Sequence, residues 1–394
     1  MIKYTRKGGE IMNLPKKKIK ELIDLMNSKS EASLLPLKQL YELIDIAMDE
    51  KMLDYLLVAG QKYHTKDQLQ DIYYDMYGNN HEEWEMFFSE ILLMCFLHAK
   101  SHEERELYGL TPIFPGWVEF YSSGEISPKR DAIITKFMEF YELADNFNIG
   151  PMRYILNQHN LNKVKKGKNP RFSTLCAHPK EITLNRPINS EPAVILTGDV
   201  YELLKKYKDE IAIMNCFCRN YKRILGEGDC IYGVPLEGCF TLGALAKQLV
   251  ETGNGRKVEF EEAVDLLNQF QKNGCVHSTY HFNNNANLDA IAICNCCTDC
   301  CLVYKNFRKG GLSHIFTKSY YSPKTIDINR CVGCNICGKY CPTEATYYDK
   351  SKKELIFDYS KCVGCGQCVN QCKFNVREMV RDERSVYVPS KKKN

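Results

Sequence analysis

The chain has 394 residues, a formal net charge of +4, and ordinary hydrophobic (44%) and charged (26%) fractions. That length leaves room for two or three domains with a sizeable core, and the small net charge does not by itself call for nucleic acid. Eighteen of its 20 cysteines crowd into residues 216–301 and 331–372 instead of spreading as a disulfide scaffold would, so they read as metal-binding thiolates of a reducing, cytoplasmic and anaerobic setting.

The N-terminus, Met1-Ile-Lys-Tyr-Thr-Arg-Lys, has no apolar core of a signal peptide, and the longest apolar run, Ile91 to Leu97, is too short to span a bilayer. Residues 1–20 carry seven Lys/Arg against Glu10 and read as a solvated, frayed terminus. Helical spacing follows: Leu37, Leu40, Tyr41, Leu43, Ile44 and Met48, then Met52, Leu53, Leu56 and Leu57. Thr65 is placed to cap another short helix, and a further helix is expected from about Glu82 to Met94. The stretch from Cys95 to Pro112 reads as a β-hairpin. Short helices followed by a hairpin look like a winged helix. The helix in the recognition position, however, carries Glu82, Glu83, Glu85 and Glu90 and no Lys or Arg. A polyanion would be repelled there, so no nucleic-acid partner is expected. Cys95 reads as a buried core thiol.

A helix is expected near Ala132–Asn146. The basic stretch Lys163–Arg171, with its Gly and Pro, reads as a linker, and Cys176 beyond it receives no role. Asp199-Val-Tyr-Glu202 resembles a capping box and opens a helix, which leads to an apolar strand, Ile211–Asn215. Cys216-Phe-Cys218-Arg219 comes directly after the strand, followed by Cys230 and Cys239. Two helices are expected at Thr241–Glu251 and Glu259–Lys272. After them Ile291-Ala-Ile293 leads into Cys294-Asn-Cys296-Cys297-Thr-Asp-Cys300-Cys301. Cys216 and Cys218 share a face if the chain is extended, as do Cys294 and Cys296. If the chain turns helical at Cys297, then Cys297, Cys300 and Cys301 converge on one side. Nine such thiols point to one or two iron–sulfur clusters, with zinc and redox-switch cysteines as the alternatives. Arg219 is placed to offset cluster charge and donate to a sulfur. Cys275 is isolated and structural. His277 and His281 are read as non-ligands.

Near the C-terminus, Cys331-Val-Gly-Cys334-Asn-Ile-Cys337-Gly-Lys-Tyr-Cys341 is repeated 31 positions later as Cys362-Val-Gly-Cys365-Gly-Gln-Cys368-Val-Asn-Gln-Cys372. Both copies read C-x2-C-x2-C-x3-C. That spacing lets three thiolates bind one [4Fe-4S] cluster while the fourth reaches a second, so two clusters are expected in 331–372. Asp327 to Cys331 aligns with Asp358 to Cys362. Ala345-Thr-Tyr-Tyr and Leu355-Ile-Phe flank the polar turn Asp349–Lys353 as a hairpin.

These residues carry two resemblances. Residues from about 325 to 380 resemble a bacterial-type two-cluster ferredoxin. The longer stretch from about 200 to 380 is similar to a family of 4Fe-4S binding proteins from anaerobic bacteria and archaea, in which C-x-C-R and C-N-C-C…C-C segments precede a ferredoxin module. The first resemblance implies crossed ligation: Cys331, Cys334, Cys337 and Cys372 for one cluster; Cys362, Cys365, Cys368 and Cys341 for the other. Pro342 follows Cys341, but its repeat-mate is Lys373, which is expected to place a cation near the first cluster and raise its potential. Residues 325–380 hold eight Lys/Arg and six Asp/Glu, a net of +2, which fits docking within a larger chain or complex.

The expected fold is α+β. A winged-helix-like helical domain (1–125), a helical connector with a basic linker (126–185), a Cys-rich α/β iron–sulfur domain (186–312), a ferredoxin-like βαβ-repeat domain (313–384) and a disordered basic tail (385–394) follow one another. The expected function is iron–sulfur electron transfer, as an electron-relay subunit or partner of a cytosolic anaerobic oxidoreductase. An iron–sulfur oxidoreductase with its own substrate site in 216–301, or a redox-responsive winged-helix regulator, is the alternative. No dinucleotide or Walker A fingerprint is present.

Overall fold

Helix and strand are mixed along the chain, as the α+β reading requires. The structure is a computed structural model that describes residues 14–29, 34, 36–102, 105–147, 172–174, 200–280, 291–308 and 316–382. The basic linker at 163–171, Cys176, His281 and the tail at 385–394 lie outside the described residues. The chain divides into two compact units whose segments interleave: Met1–Phe147 with Ala212–Glu227 and Gly243–Lys257, and Asn148–Ile211 with Gly228–Leu242 and Val258–Asn394.

The first unit begins with five helices: α1 (Lys16–Ser28), α2 (Lys38–Ala47), α3 (Glu50–Ala59), α4 (Lys66–Tyr77) and α5 (His81–Leu93). Among the described residues, Lys16 to Lys20 are less frayed than their charge suggested. α1 starts at Lys16, and Lys18 reaches Glu50 and Asp54 on α3 at 3.0 and 2.8 Å. Thr65 caps α4 as expected. Gln68 completes the capping box by accepting from the Thr65 backbone, so two otherwise orphaned N–H groups are satisfied. Trp84, Phe87, Phe88, Ile91 and Leu92 form the buried stripe of α5. Trp84 stacks on Phe88 at 5.0 Å. The stripe leaves the glutamates outward, and Glu85 pairs with Lys66 at 2.8 Å.

The expected hairpin follows as β1 (Leu97–His102) and β2 (Arg105–Leu110), antiparallel with Leu97 opposite Leu110. Next come α6 (Val118–Ser122) and α7 (Pro128–Phe147). In the second unit β3 (Phe172–Thr174) and α8 (Val200–Lys206) precede β4 (Ile211–Asn215), whose residues from Ala212 onward return to the first unit together with α9 (Phe217–Ile224). After β5 (Glu237–Leu242), α10 (Ala244–Glu251) and β6 (Arg256–Lys257) also belong to the first unit, where β6 pairs antiparallel with β4. Gln248 of α10 accepts from Ala99 N at 2.7 Å and donates to Leu97 O at 2.8 Å, so one buried amide satisfies the edge of β1. The helix expected at Thr241–Glu251 starts later, because Thr241 and Leu242 finish β5 and Gly243 turns the chain at φ 67°.

In the second unit α11 (Phe260–Lys272) leads to β7 (Val276–Tyr280) and β8 (Ala292–Cys296). α12 (Leu302–Arg308) and β9 (Phe316–Thr317) follow. The strands run in the order β5-β8-β7-β3-β9. β8 is antiparallel to both β5 and β7, with Cys239 opposite Cys294 and Ser278 opposite Cys294. The C-terminal part of this unit contains β10 (Tyr321–Thr325), α13 (Ile336–Lys339), β11 (Thr346–Asp349), β12 (Glu354–Phe357), α14 (Gln367–Asn370) and β13 (Arg377–Arg381). β10 pairs with β13 and β11 with β12, both antiparallel. The hairpin expected around Asp349–Lys353 is therefore present. Among the described residues no helix is long and apolar enough to cross a membrane.

Candidate metal centres

The repeat of 31 residues is visible in the backbone. Asp327 Oδ1 accepts from Asn329 N at 3.0 Å, and its repeat-mate Asp358 Oδ1 accepts from Ser360 N at 2.9 Å. Arg330 and Lys361 then reach back to those same carboxylates at 3.1 and 3.6 Å. Each turn lifts the chain into a thiol loop. The glycine of each C-V-G-C segment is left-handed, Gly333 at φ 69° and Gly364 at φ 75°. A Cβ on Gly333 would stand 2.7 Å from the Tyr348 ring, so only glycine serves there. Asn335 and Gly366, repeat-mates, open α13 and α14 in the left-handed region, and Glu344 and Asn375 repeat it at the exits.

This geometry crosses the two thiol loops. Cys331, Cys334 and Cys337 line one pocket together with Cys372 from the second loop, and Cys368 and Arg377 line it too. On the other side Cys341, from the first loop, is close enough to Cys365 and Cys368 for its charge to act on both, with Cys362 beside them. Burial pushes the Cys368 thiol up to about 12, and Cys341 and Cys362 act in the same direction. A set of thiols with no imidazole or carboxylate among them suits iron–sulfur chemistry.

Two cations bear on these thiols differently. Lys373, singled out by its place after Cys372, is exposed. Arg377, which the spacing did not single out, is 5% exposed. It donates to Thr346 Oγ1 at 2.8 Å and lies over the Phe357 ring at 5.3 Å. Its charge favours the thiolates of both Cys337 and Cys368, against the upward push of burial. The available signal was the repeat itself: the position equivalent to Thr346 at the start of β11 is Arg377 at the start of β13.

Upstream, the C-N-C-C segment splits its thiols. Cys294 and Cys296 share a face of β8 as the period-2 reading expected, and Cys239 is directly opposite Cys294. Cys296 neighbours both Cys294 and Cys301, and their interaction pushes its proton affinity up. No helix starts at Cys297. The chain makes a turn through residues 298–300, and α12 begins only at Leu302. Cys301 therefore leaves the side of Cys297 and Cys300. These two meet Cys230 instead, with Cys230 Sγ 3.6 Å from Cys297 Sγ and all three sulfurs within 4.8 Å of one another. Hydrogen bonds from Cys297 and Cys300 hold the Cys230 thiol well below the ordinary thiol range.

In the first unit Cys216 does not continue β4 in extended form to Cys218. It is buried and caps α9, and Cys218 lies in the first helical turn, half-buried. Arg219 follows, 5% exposed. Cys275 is buried, and its carbonyl accepts from Gln367 Nε2 at 2.6 Å. His277 is buried against Asn295, and burial pulls it down to about 4, so it is held neutral. Cys95 is a buried core thiol, pushed up to about 12.

Within the second unit the cysteine-bearing turn is tied to the thiol loops. Thr298 Oγ1 donates to Tyr232 Oη at 2.7 Å, and Tyr232 Oη donates to Lys339 O at 3.1 Å. Arg308 donates to Thr298 O at 3.3 Å and to Pro342 O at 3.1 Å. The Tyr232 and Tyr340 rings lie 4.9 Å apart.

Residues 330–376 match the family described as a 4Fe-4S dicluster domain. No curated protein and no solved structure matches the chain. With that match and the module's thiols gathered as above, the C-terminal segment is an iron–sulfur module of ferredoxin type with an electron-transfer role.

Proposed function

We propose that this protein is a fixed electron relay, serving a cytosolic oxidoreductase of anaerobes as a subunit or bound partner. The observation that carries this reading is the set of hydrogen bonds from Thr298, Tyr232 and Arg308 to the backbone at Lys339 and Pro342. They hold a second group of cysteines against the flank of Cys341, within the same unit. A carrier that diffuses between partners has no need of such ties.

In this reading Cys331, Cys334, Cys337 and Cys372 hold one cluster, and Cys362, Cys365, Cys368 and Cys341 hold another. Cys294, Cys296 and Cys301, with Cys239 facing Cys294 across the strands, hold a further one. Cys216 and Cys218 remain candidate ligands on the first unit, with Arg219 beside them as a charge-offsetting donor. Bound at these sites, iron–sulfur clusters take up and pass on single electrons. Arg377 favours added negative charge at the module because its guanidinium is buried beside Cys337 and Cys368. Lys373 does so less, since water screens an exposed ammonium. The regulatory reading has the weakest support, because the outward face of α5 carries glutamates.

Anaerobic purification of the full chain, with iron and sulfide counted and EPR recorded on the reduced protein, tests the relay. The expected result is about eight irons from the module and about four more from the upstream thiols, all reducible and magnetically coupled. Fewer than about eight irons, or clusters that reduce without coupling, overturns it.

A further inference from the structure

The three sulfurs of Cys230, Cys297 and Cys300 stand closer together than any other three ligand atoms of His, Cys, Asp or Glu among the described residues. The eight thiols of the ferredoxin module are all described, and none of its loops forms a group this tight. The module therefore serves as an internal yardstick. In a cubane each thiolate caps a different iron, which keeps the sulfurs apart. On a single tetrahedral ion they share one metal. With a zinc–sulfur bond of about 2.3 Å, the tetrahedral sulfur–sulfur edge is about 3.8 Å. Cys230 and Cys297 are 3.6 Å apart. All three residues are buried.

We propose that Cys230, Cys297 and Cys300 form a mononuclear thiolate site for one tetrahedral divalent ion of the zinc class, separate from every iron–sulfur cluster of the chain. Among the described residues no fourth side chain joins the group, so one position is left to water or another small ligand. The ion joins two segments far apart in sequence, the loop at Cys230 and the turn at Cys297–Cys300. The same two segments carry Tyr232 and Thr298, which reach the carbonyl of Lys339. Zinc has no redox chemistry; by bonding both segments the ion acts as a pin that fixes the junction through which the cysteine-rich segment holds the ferredoxin module. Asp299 supports the turn from outside the trio. Its carboxylate accepts from Ile231 N at 3.1 Å and lies 3.4 Å from Cys300 Sγ.

The test uses the full chain expressed in zinc-supplemented medium and purified anaerobically, with metals counted and zinc-edge X-ray absorption recorded. The expected result is about one zinc per chain with a shell of about three sulfurs and one lighter atom. Cys297→Ser and Cys300→Ser are expected to lower zinc at least about tenfold while iron content and the EPR of the module stay unchanged. Absence of zinc, loss of iron instead of zinc in these variants, or zinc retained by both, overturns the proposal. Should the variants not accumulate, Co2+ loaded into the unaltered chain decides. Intense visible bands of a tetrahedral cobalt thiolate support the site, and a weak octahedral spectrum overturns it. Iron counts and cluster EPR test the relay, and zinc counts test the pin, so either can fail alone.

Discussion

The two thiol-rich regions of the second unit are built on opposite principles. In the strands β5, β7 and β8 the polypeptide supplies its own interior: every residue of β7 is buried, and Phe240, Phe270 and Ile293 are fully enclosed. In the ferredoxin module α13 buries none of its residues, and α14 buries only Gln367. Four-residue helices cannot persist on propensity. Five cysteines, Cys331, Cys334, Cys337, Cys368 and Cys372, line one pocket there. One region is a protein core that carries thiols; the other is a set of thiols that needs something to surround. Metal is therefore expected to be optional to folding in the first region and constitutive in the second.

The sharpest way to break this comparison is to strip iron from the folded chain with an anaerobic chelator and an oxidant. The module at 321–381 is expected to become fully sensitive to protease, while α11, β7 and β8 remain protected in hydrogen exchange. Equal loss of protection in both would erase the distinction. A second perturbation addresses the first unit, which holds no ferredoxin thiols. Trp84→Ala removes a fully buried ring packed on Tyr73 and Phe88 and should cost about 3–5 kcal/mol in urea unfolding of that unit. The iron content should not change.

A third addresses pH. His98 is buried between Tyr63 and Thr111, and burial, helped by the charge of Lys100, pulls it down to about 3. Above the unfolded value of about 6.5 both states are neutral and stability is flat. As pH falls below it, the unfolded chain takes a proton that the folded chain refuses, so stability declines toward about 3. The loss between pH 7 and 5 should be on the order of 2 kcal/mol, and His98→Gln should remove it. The smallest effects separate the two cations of the module. Arg377→Gln withdraws a buried charge worth on the order of 1 kcal/mol. For a one-electron couple that lowers the midpoint potential by roughly 40 mV. Lys373→Gln, at an exposed position, should shift it by less than about 10 mV. A larger shift from Lys373 in protein-film voltammetry would reverse this assignment.

Much of the thiol chemistry was legible before any fold was in hand, because ligand spacing is a one-dimensional property. C-x2-C-x2-C-x3-C places three sulfurs on one loop whatever surrounds it, and the two-residue period put Cys294 and Cys296 on one face. Thr65 and the 97–110 hairpin were equally local. Readings that depend on where a turn ends failed at single residues. Helix at Cys297 would have gathered Cys300 and Cys301 with it. The turn at 298–300 parted them, and Cys230, distant in sequence, took the vacated place. Cys216 and Cys218 were separated in the same way by a helix starting at Phe217. Arg377 could be reached only through the repeat, which pairs its position with Thr346; its burial beside Cys337 and Cys368 is not written in the thiol spacing. Lys373 stood out by sequence position alone.

Exposure also gives the module a direction. Cys334 is the exposed thiol of the first loop, and Ile328 and Val332 of the same stretch are exposed as well, whereas Cys362 of the second loop is buried. Dioxygen therefore meets the two halves in sequence. Brief exposure to air should destroy the centre held by Cys331, Cys334, Cys337 and Cys372 first, leaving one surviving reducible cluster in the module, whose EPR signal has lost the coupling to its neighbour there. The loop around Cys334 is therefore the point at which oxidative damage to the module should begin.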